Sequence, residues 1–451
     1  MPTDEPAGYL GAAQKVLDKA KVQIGDRIFI QTTDNTFEGI LIPRAEIGAD
    51  DQHIVLKLDS GYNLGIRVGN IQRLKRVKAG KTVKPELPAV VRKMKKGVPW
   101  VSILSTGGTI ASRVDYHTGA VNPALTADDL YTVVPELGDI ANIRAEVLFS
   151  VFSENLRPSH WTTIAKQTVK HLTESEGVVI AHGTDTMGYT AAALSFALQN
   201  LPRPVILTGS QRSSDRPSSD AALNLTGAVM AASQAPFAEV VVAMHRSPDD
   251  VSIALHMGTQ VRKCHTSRRD AFLTINSDLL GEVKDGKVQM LVDESAYHHR
   301  NPQRQIVLQP QFDPKVALVK TAPGMTGDRI DWLIDQNYHG IVLEGTGLGH
   351  APGSLFTAIE RAQEEQIPII MTSQCIWGRV QMRVYRTGVE LVQRGVIPAE
   401  DMIAETAYVK LMWVLAQTRD LSEVRARMLE NLVGEITARS TRSQYKEMNN
   451  R

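Results

Sequence analysis

Short apolar runs bounded by glycine or polar residues recur along most of this chain. Four of them predict buried strands: Val101–Leu104, Val178–Ala181, Val205–Thr208 and Val240–His245. Helical patterns cover Met187–Gln199 and Ser219–Ser233. Continuous apolar runs of this length are typical of parallel strands that are covered on both faces. Residues 98–300 are therefore predicted to form an α/β domain with a parallel sheet between helices.

A second, smaller strand–helix pattern covers residues 314–436. Its predicted strands are Val316–Val319, Gly340–Leu343 and Pro368–Thr372, and its predicted helices are Leu355–Glu364, Tyr408–Thr418 and Leu421–Ile436. The polar stretch His298–Arg304 marks a boundary between the two patterns. The polar tail 437–451 is expected to be frayed.

The first 78 residues have a different pattern. A helical segment, Gly11–Ala20, precedes four closely spaced β-like runs: Arg27–Gln31, Phe37–Ile42, His53–Leu58 and Asn63–Arg67. Short strands separated by turn signals predict a small β-barrel of the SH3 or Tudor type over residues 1–78.

Residues 79–97 are predicted to be a linker, and basic side chains occur in it and just before it. They are Arg73, Lys75, Arg76, Lys78, Lys81, Lys84, Arg92, Lys93, Lys95 and Lys96. One interpretation is a solvated charged linker. The other is an electrostatic contact with RNA or with an acidic partner surface.

Composition narrows the classes of protein. The 451 residues, 43% hydrophobic and 22% charged, suit a globular chain of roughly three domains. A net charge of +1 provides no global attraction for nucleic acid or membranes. Cys264 and Cys375 form no CxxC motif, no signal-peptide pattern is visible, and no apolar stretch approaches the about 20 residues of a membrane span. We therefore expect a cytoplasmic protein.

Two threonine-rich motifs each follow one of the predicted strands. They are Ser105-Thr-Gly-Gly-Thr-Ile-Ala111 and His182-Gly-Thr-Asp-Thr186. Open α/β sheets bind ligands at the carboxyl ends of their strands, so the two motifs are expected to share one crevice. A threonine hydroxyl serves as a nucleophile when a neighbouring group takes its proton. The alternative for each motif is an ordinary turn that caps a helix, with Asp185 as a capping residue.

Two further segments carry candidate chemistry. Lys263 could act as a base in a closed site, although a surface lysine in a basic patch would show the same pattern. The segment Phe152–Asn155 could contact a small zwitterion or could be a polar turn.

Histidines at 182, 256, 265, 298 and 299 show no zinc spacing, and the chain has no P-loop sequence. We therefore predict no metal site in this chain.

Together these motifs closely resemble the bacterial-type L-asparaginase/glutaminase family over about residues 98–430. The resemblance rests on Thr106-Gly-Gly-Thr-Ile-Ala111, His182-Gly-Thr-Asp-Thr186, Ser210-Gln-Arg212 with Asp220 and Asn224, and Lys263. It implies a two-domain α/β core and hydrolysis of a side-chain amide. It also implies that Thr109 and Thr184 are the catalytic hydroxyls, with Asp185 and Lys263 supporting Thr184.

The resemblance extends to substrate binding. It assigns Tyr116 to a mobile active-site loop and Ser153 to the substrate, and it includes Gly108 and Gly183, which precede the two threonines. Glu154 stands where bacterial asparaginases have glutamine, so their substrate preference does not transfer simply to this chain.

The first 95 or so residues have no counterpart in an ordinary asparaginase. A barrel and linker before this core resemble the GatD family of archaeal glutamyl-tRNA(Gln) amidotransferases, as do Ile110–Tyr116 and Phe152–Arg157. This resemblance implies that the chain releases ammonia from glutamine without a cofactor of its own. A partner, GatE, would bind tRNA(Gln), use ATP and magnesium, and receive the ammonia through a channel in a heterodimer or a dimer of heterodimers.

Two alternatives stay open. The chain could be a free-standing L-asparaginase with an accessory N-terminal domain, which predicts strong asparagine hydrolysis without a partner. It could instead be a non-catalytic scaffold that binds RNA through its basic linker, which predicts salt-sensitive RNA binding and no ammonia release. The intact set of Thr109, Thr184, Asp185 and Lys263 argues against the scaffold.

Overall fold

A computed structural model describes residues 9–42, 51–58, 63–79, 95–107, 112–114, 121–123, 130–131, 134–212 and 219–440. The chain divides into two compact units, of which one contains an N-terminal sheet and the other contains two α/β sheets. Within the described ranges, no helix combines the length and apolar character that a bilayer crossing requires.

The N-terminal sheet is antiparallel and has the strand order β4–β3–β2–β1–β5. Its elements are α1 (Gly11–Lys19), β1 (Arg27–Thr32), β2 (Thr36–Leu41), β3 (His53–Leu58), β4 (Asn63–Arg67) and β5 (Ile71–Lys78). Alternate residues of β1 and β3, such as Ile28, Ile30 and Ile54, face one buried core together with Leu17 of α1.

The fifth strand lies within the predicted barrel domain, residues 1–78, but it was not itself predicted. In β5 the side chains of Arg73, Lys75, Arg76 and Lys78 are all exposed. An edge strand tolerates charged residues because water can solvate its outer side. The described residues show no pairing between β4 and β5, so a closed barrel is not confirmed.

The larger α/β sheet has the order β18–β17–β14–β13–β12–β10–β6–β9. These strands are β6 (Trp100–Ser105), β9 (Asn142–Val147), β10 (Gly177–Ala181), β12 (Val205–Thr208), β13 (Val240–His245), β14 (Ser252–Met257), β17 (Gly281–Lys284) and β18 (Lys287–Met290). From β9 to β13 the neighbours are parallel, as predicted. The last three strands continue antiparallel, so the sheet is mixed.

Short strands pair outside this sheet. The antiparallel pairs are β7 (Ser112–Val114) with β8 (Val121–Pro123), β11 (Leu198–Gln199) with β19 (Val307–Leu308), and β15 (Val261–Lys263) with β16 (Phe272–Thr274). The β15–β16 hairpin matters for function because its first strand ends at Lys263.

Helices of the larger sheet are α2 (Leu137–Ile140), α3 (Pro158–Leu172), α4 (Met187–Ala197) and α5 (Ala221–Gln234). In α4 nearly every residue is buried, because the helix packs against β13 on one side and against α9 (Ala404–Leu415) on the other. Small residues such as Ala191, Ala192 and Ala193 are fully buried in this contact.

The smaller sheet is parallel throughout and has the order β20–β21–β22–β23. Its elements are β20 (Val316–Lys320), β21 (Gly340–Gly345), β22 (Ile369–Ser373), β23 (Ile397–Pro398), α6 (Asp328–Asp335), α7 (Phe356–Glu364), α8 (Arg386–Gln393) and α10 (Leu421–Leu429). The asparaginase-like α/β architecture with two sheets thus agrees with the sequence prediction.

The predicted helix Leu421–Ile436 is too long. It ends at Leu429, and Gly434 adopts a φ of +81°, which a continuing helix does not allow. The carboxylate of Glu435 accepts hydrogen bonds from the N–H groups of Leu432 and Val433. Tertiary contacts therefore hold this segment in an irregular conformation.

Candidate active site

The carboxyl ends of β6 and β10 are tied together at the first threonine-rich motif. Both the backbone N–H and the Oγ1 of Thr106 donate to the carbonyl of Ala181, at 3.0 and 3.1 Å. The next residue, Gly107, has a φ of +113°, and a Cβ there would lie 2.4 Å from the carbonyl oxygen of Val151. Only glycine allows this close approach of the two backbones.

The second motif forms the loop between β10 and α4. A Cβ on Gly183 would lie 2.8 Å from the Cβ of Ser153, so glycine allows the turn Ser153–Asn155 to pack against this loop. The hydroxyl of Thr186 donates to the carbonyl of Ser153 at 2.7 Å. These contacts place the buried Ser153 beside residues on both sides of Thr184 in the chain.

Lys263 reaches the second threonine from the β15–β16 hairpin. Its Nζ donates to Thr184 Oγ1 at 2.9 Å and to Asp185 Oδ1 at 2.6 Å. The Lys263 side chain is 14% exposed and that of Asp185 is 67% exposed. Because Thr186, and not Asp185, is the N-cap of α4, the Asp185 carboxylate serves Lys263 and not the helix end. This arrangement joins a hydroxyl, a shielded ammonium and an exposed carboxylate.

His182 is the first residue of the second motif and is fully buried. Burial lowers the pKa of its imidazole to about 4, because desolvation disfavours the charged ring. Its Nδ1–H donates to the carbonyl of Gly183 at 2.6 Å, and its Nε2 has no hydrogen-bond partner among the described residues. The ring is therefore neutral at physiological pH.

Five of the predicted site residues come together in the structure: Gly183, Thr184, Asp185, Lys263 and Ser153. Glu154, next to Ser153, is exposed. Gly108, Thr109 and Tyr116 lie outside the described residues, and the roles that sequence resemblance implies for them stay predictions. The functional roles of the five assembled residues are likewise predictions, now with a shared geometry.

Sequence reasoning missed the polar residues behind the Thr184 loop. Asn224, quoted only as part of a motif, donates from Nδ2 to the carbonyl of Gly209 at 2.9 Å. Its Oδ1 faces the fully buried His245, which ends β13. The sequence offered one signal for them: Asn224 and His245 are polar residues within or at the end of otherwise apolar elements.

In the described portion of the chain, no group of three or more His, Cys, Asp or Glu side chains is arranged to hold a metal ion.

Comparison with known families places the core in a recognised class. Residues 100–295 match the family model described as "Asparaginase, N-terminal", and residues 315–428 match "Glutaminase/Asparaginase C-terminal domain". Residues 22–77 match "GatD N-terminal domain".

Solved structures give the same class. The thermostable L-asparaginase from Thermococcus kodakarensis has a TM-score of 0.68 and is 34% identical, covering 75% of this chain and 100% of that protein. L-asparaginase I from Vibrio cholerae has a TM-score of 0.66 and is 29% identical, covering 75% of this chain and 99% of that protein. The fold and the site thus define an asparaginase/glutaminase-type enzyme core.

Full-length relatives identify the particular family. The GatD subunit of glutamyl-tRNA(Gln) amidotransferase from Pyrococcus furiosus is 50% identical over 432 residues, which is 94% of this chain and 97% of that protein. The GatD subunit from Methanothermobacter thermautotrophicus is 48% identical over 434 residues, covering 96% and 98%. The chain belongs to the GatD family of glutamyl-tRNA(Gln) amidotransferase subunits.

Proposed function

We propose that this chain is the glutaminase subunit of a tRNA-dependent amidotransferase. It hydrolyses glutamine through a threonine nucleophile and supplies the ammonia that converts Glu-tRNA(Gln) to Gln-tRNA(Gln). The observation that carries the proposal is the contact of Lys263 Nζ with both Thr184 and Asp185. Membership of a family of amidotransferase subunits implies that the ammonia is used by another protein of the same complex.

The chemistry follows from this set of groups. A threonine oxygen, that of Thr109 or Thr184, attacks the side-chain carbonyl carbon of glutamine. The Lys263 ammonium gives one proton to the leaving nitrogen and takes up the hydroxyl proton in its place, so ammonia departs and an acyl-threonine ester remains. Asp185 holds the lysine in contact with Thr184 Oγ1 during the transfer. Water then cleaves the ester, which releases glutamate and restores the hydroxyl.

Backbone N–H groups of the glycine-rich turn at Gly107 and Gly108 are candidates for stabilising the oxyanion of the tetrahedral intermediate. Loss of one such donor typically costs about 10²–10³ in rate. Gly108 and Gly183, with Ser153, Glu154 and Tyr116, are the proposed contacts of the substrate.

The proposed partner is the amidotransferase protein GatE, in a heterodimer or a dimer of heterodimers. That partner binds tRNA(Gln) and uses ATP and magnesium, whereas this chain needs no cofactor of its own. The proposed compartment is the cytoplasm.

Ammonia release tests this function. We would measure it from glutamine and from asparagine, first with this chain alone and then with GatE, Glu-tRNA(Gln), ATP and magnesium. The proposal expects glutamine hydrolysis that rises with the full set. Robust asparagine hydrolysis that is independent of a partner would instead support the free-standing asparaginase.

Two variants test the nucleophiles in the same assay. Thr184→Ala and Thr109→Ala are each expected to abolish ammonia release while the protein stays folded. Thr163→Ala is a matched control, because the exposed Thr163 hydroxyl donates within its own helix, to the Ser159 carbonyl. Near-normal turnover in either active-site variant would contradict the assignment.

A further inference from the structure

A row of hydrogen-bonded side chains connects the hairpin that carries Lys263 to the loop that carries Thr184. Its members are Arg269, Asp250, His245 and Asn224. In the turn that follows Lys263, Arg269 donates to Asp250 Oδ1 at 2.5 Å and also to the carbonyl of Pro248. The same Asp250 oxygen lies 3.2 Å from His245 Nε2. His245 Nδ1 lies 2.6 Å from Asn224 Oδ1.

The row ends on the glycine that adjoins the second threonine. Asn224 Nδ2 donates to the carbonyl of Gly209 at 2.9 Å. A Cβ on Gly209 would lie 3.0 Å from Thr184 Cγ2 and 2.6 Å from the carbonyl oxygen of His182. Gly209 is therefore in close contact with the Thr184 loop, and its position limits where that loop can lie.

Side-chain oxygens face both ring nitrogens of His245. Asn224 uses its NH₂ group on the Gly209 carbonyl, so the oxygen of its side-chain amide must face His245 Nδ1. Asp250 is 69% exposed, and its carboxylate is paired with Arg269. Both ring nitrogens of His245 thus lie within hydrogen-bond distance of a side-chain oxygen, one of Asn224 and one of Asp250.

We propose that His245 is a positioning residue for amide hydrolysis. Its ring joins Asp250 to Asn224, and through them it holds the Lys263 hairpin in register with the Thr184 loop. It does not touch the reacting atoms. This role rests on the proposed function, because it concerns the distance between Lys263 Nζ and Thr184 Oγ1.

The row explains an otherwise costly feature of the fold. A completely buried imidazole at the end of an interior strand costs free energy unless its ring nitrogens find hydrogen-bond partners. His245 has two acceptors, and the carboxylate among them is itself held by Arg269. Removing Asp250 breaks the row at a solvent-exposed carboxylate, so the variant is expected to fold.

Kinetics of the complete amidotransferase give the first test. Asp250→Ala is expected to lower kcat for glutamine hydrolysis by about 10- to 100-fold, because small displacements of catalytic groups have large effects on rate. The KM for glutamine is expected to change by less than about threefold, since the row does not contact substrate. Asp250→Asn can still bond both Arg269 and His245, so it should restore most of the lost kcat.

His245→Gln should lower kcat in the same way, whereas His171→Gln is the matched control. His171 is also hydrogen-bonded to a carboxylate, that of Glu146, but it lies on α3 outside the row. A kcat within about twofold of wild type in Asp250→Ala would overturn the positioning role.

The contacts of the His245 ring are observed directly by NMR of the histidine-labelled protein in its complex, with the His245 signals assigned from His245→Gln. The Nε2 signal should differ between the wild type and Asp250→Ala, because the variant removes the oxygen that lies 3.2 Å from this nitrogen. Unchanged His245 signals in Asp250→Ala would overturn the inference. If the wild-type complex releases no ammonia from glutamine, the proposed function fails, while these signals still show whether the row exists as described.

Discussion

Two lysine–carboxylate pairs in the α/β unit have similar distances between nitrogen and oxygen but differ in their exposure to solvent. Lys263 and Asp185 are 2.6 Å apart, and the carboxylate is 67% exposed. Lys410 and Glu435 are 2.5 Å apart, and neither side chain is accessible to solvent. The first pair lies at the candidate active site. In the second pair, Lys410 contacts the segment from Met428 to Glu435.

The buried pair has no free hydrogen-bonding capacity at its ammonium group. Lys410 Nζ donates to the carbonyls of Met428 and Glu430 as well as to Glu435, which uses all three of its N–H bonds. Burial lowers the pKa of Lys410, and the nearby Glu435 opposes that shift. Such a group stabilises one conformation and has nothing left to offer a ligand.

The pair at the candidate active site is organised differently, because one of the two acceptors of Lys263 is a hydroxyl. A bond to Thr184 Oγ1 allows a proton to move between oxygen and nitrogen, which no backbone carbonyl permits. Proximity of a lysine and a carboxylate therefore does not by itself indicate either catalysis or stabilisation of the fold. The further hydrogen-bond partners of the lysine, and whether substrate can reach it, distinguish the two roles.

The largest effect is expected at Lys263. Lys263→Met keeps the length of the side chain but removes proton transfer, and kcat for glutamine hydrolysis should fall by about 10³-fold. Ammonia release by the complex measures this, with Lys287→Met as the control because Lys287 is exposed on β18. A loss smaller than about tenfold would place proton transfer on another group.

The next effect is on stability and concerns the buried pair. Lys410→Met leaves the Glu435 carboxylate buried without its partner, which typically costs about 3–5 kcal/mol of unfolding free energy. Denaturant unfolding of the full chain measures it. Turnover at a temperature where the variant is folded should fall far less than in Lys263→Met. A stability loss below about 1 kcal/mol would show that the pair is not a structural tie.

A buried group without a charged partner should make the protein acid-sensitive. The pKa of His182 is about 4 when folded and near 6.5 when unfolded, so the unfolded chain binds more protons between these values. Unfolding free energy should therefore fall by about 3 kcal/mol as pH drops from 6.5 to 4, and the loss from this group should level off below pH 4.

Comparison with His182→Asn isolates this contribution. The variant should lose about one proton from the pH dependence of unfolding between pH 6.5 and 4. Equal slopes for the variant and the wild type would show that His182 is not the neutral buried group described above.

The smallest effect is expected for a pair that is exposed at both ends. Lys95 and Asp139 are 2.5 Å apart with side chains 50% and 68% exposed. Lys95→Ala should change unfolding free energy by less than about 1 kcal/mol, because water and salt screen such pairs. A larger loss of unfolding free energy would contradict the conclusion that burial distinguishes the Lys410–Glu435 pair from exposed pairs.

Periodicity in the sequence predicted the parallel part of the fold well. The apolar runs that became β6, β10, β12 and β13 are short and continuous, and such runs have few other buried solutions. The antiparallel strands β14, β17 and β18 were not predicted. Strand direction depends on how a chain returns to the sheet, and that information is not local.

Motif resemblance likewise named Thr184, Asp185 and Lys263, but it could not show what each side chain touches. Asp185 fitted a helix cap as well as a lysine partner until the structure placed Thr186 at the N-cap. Local pattern could not distinguish these roles because Lys263 is 78 residues away along the chain.

By itself the sequence determined the class of enzyme, the four central parallel strands of the larger sheet and the residue types at its chemistry. Apolar periodicity and glycine-bounded threonine motifs carry that information locally. Only the tertiary structure decided which carboxylate contacts the candidate catalytic lysine, which one is buried with a structural lysine, and how His245 joins two distant loops. Those outcomes depend on burial and on hydrogen-bond partners, which arise only when segments far apart in the chain are brought together.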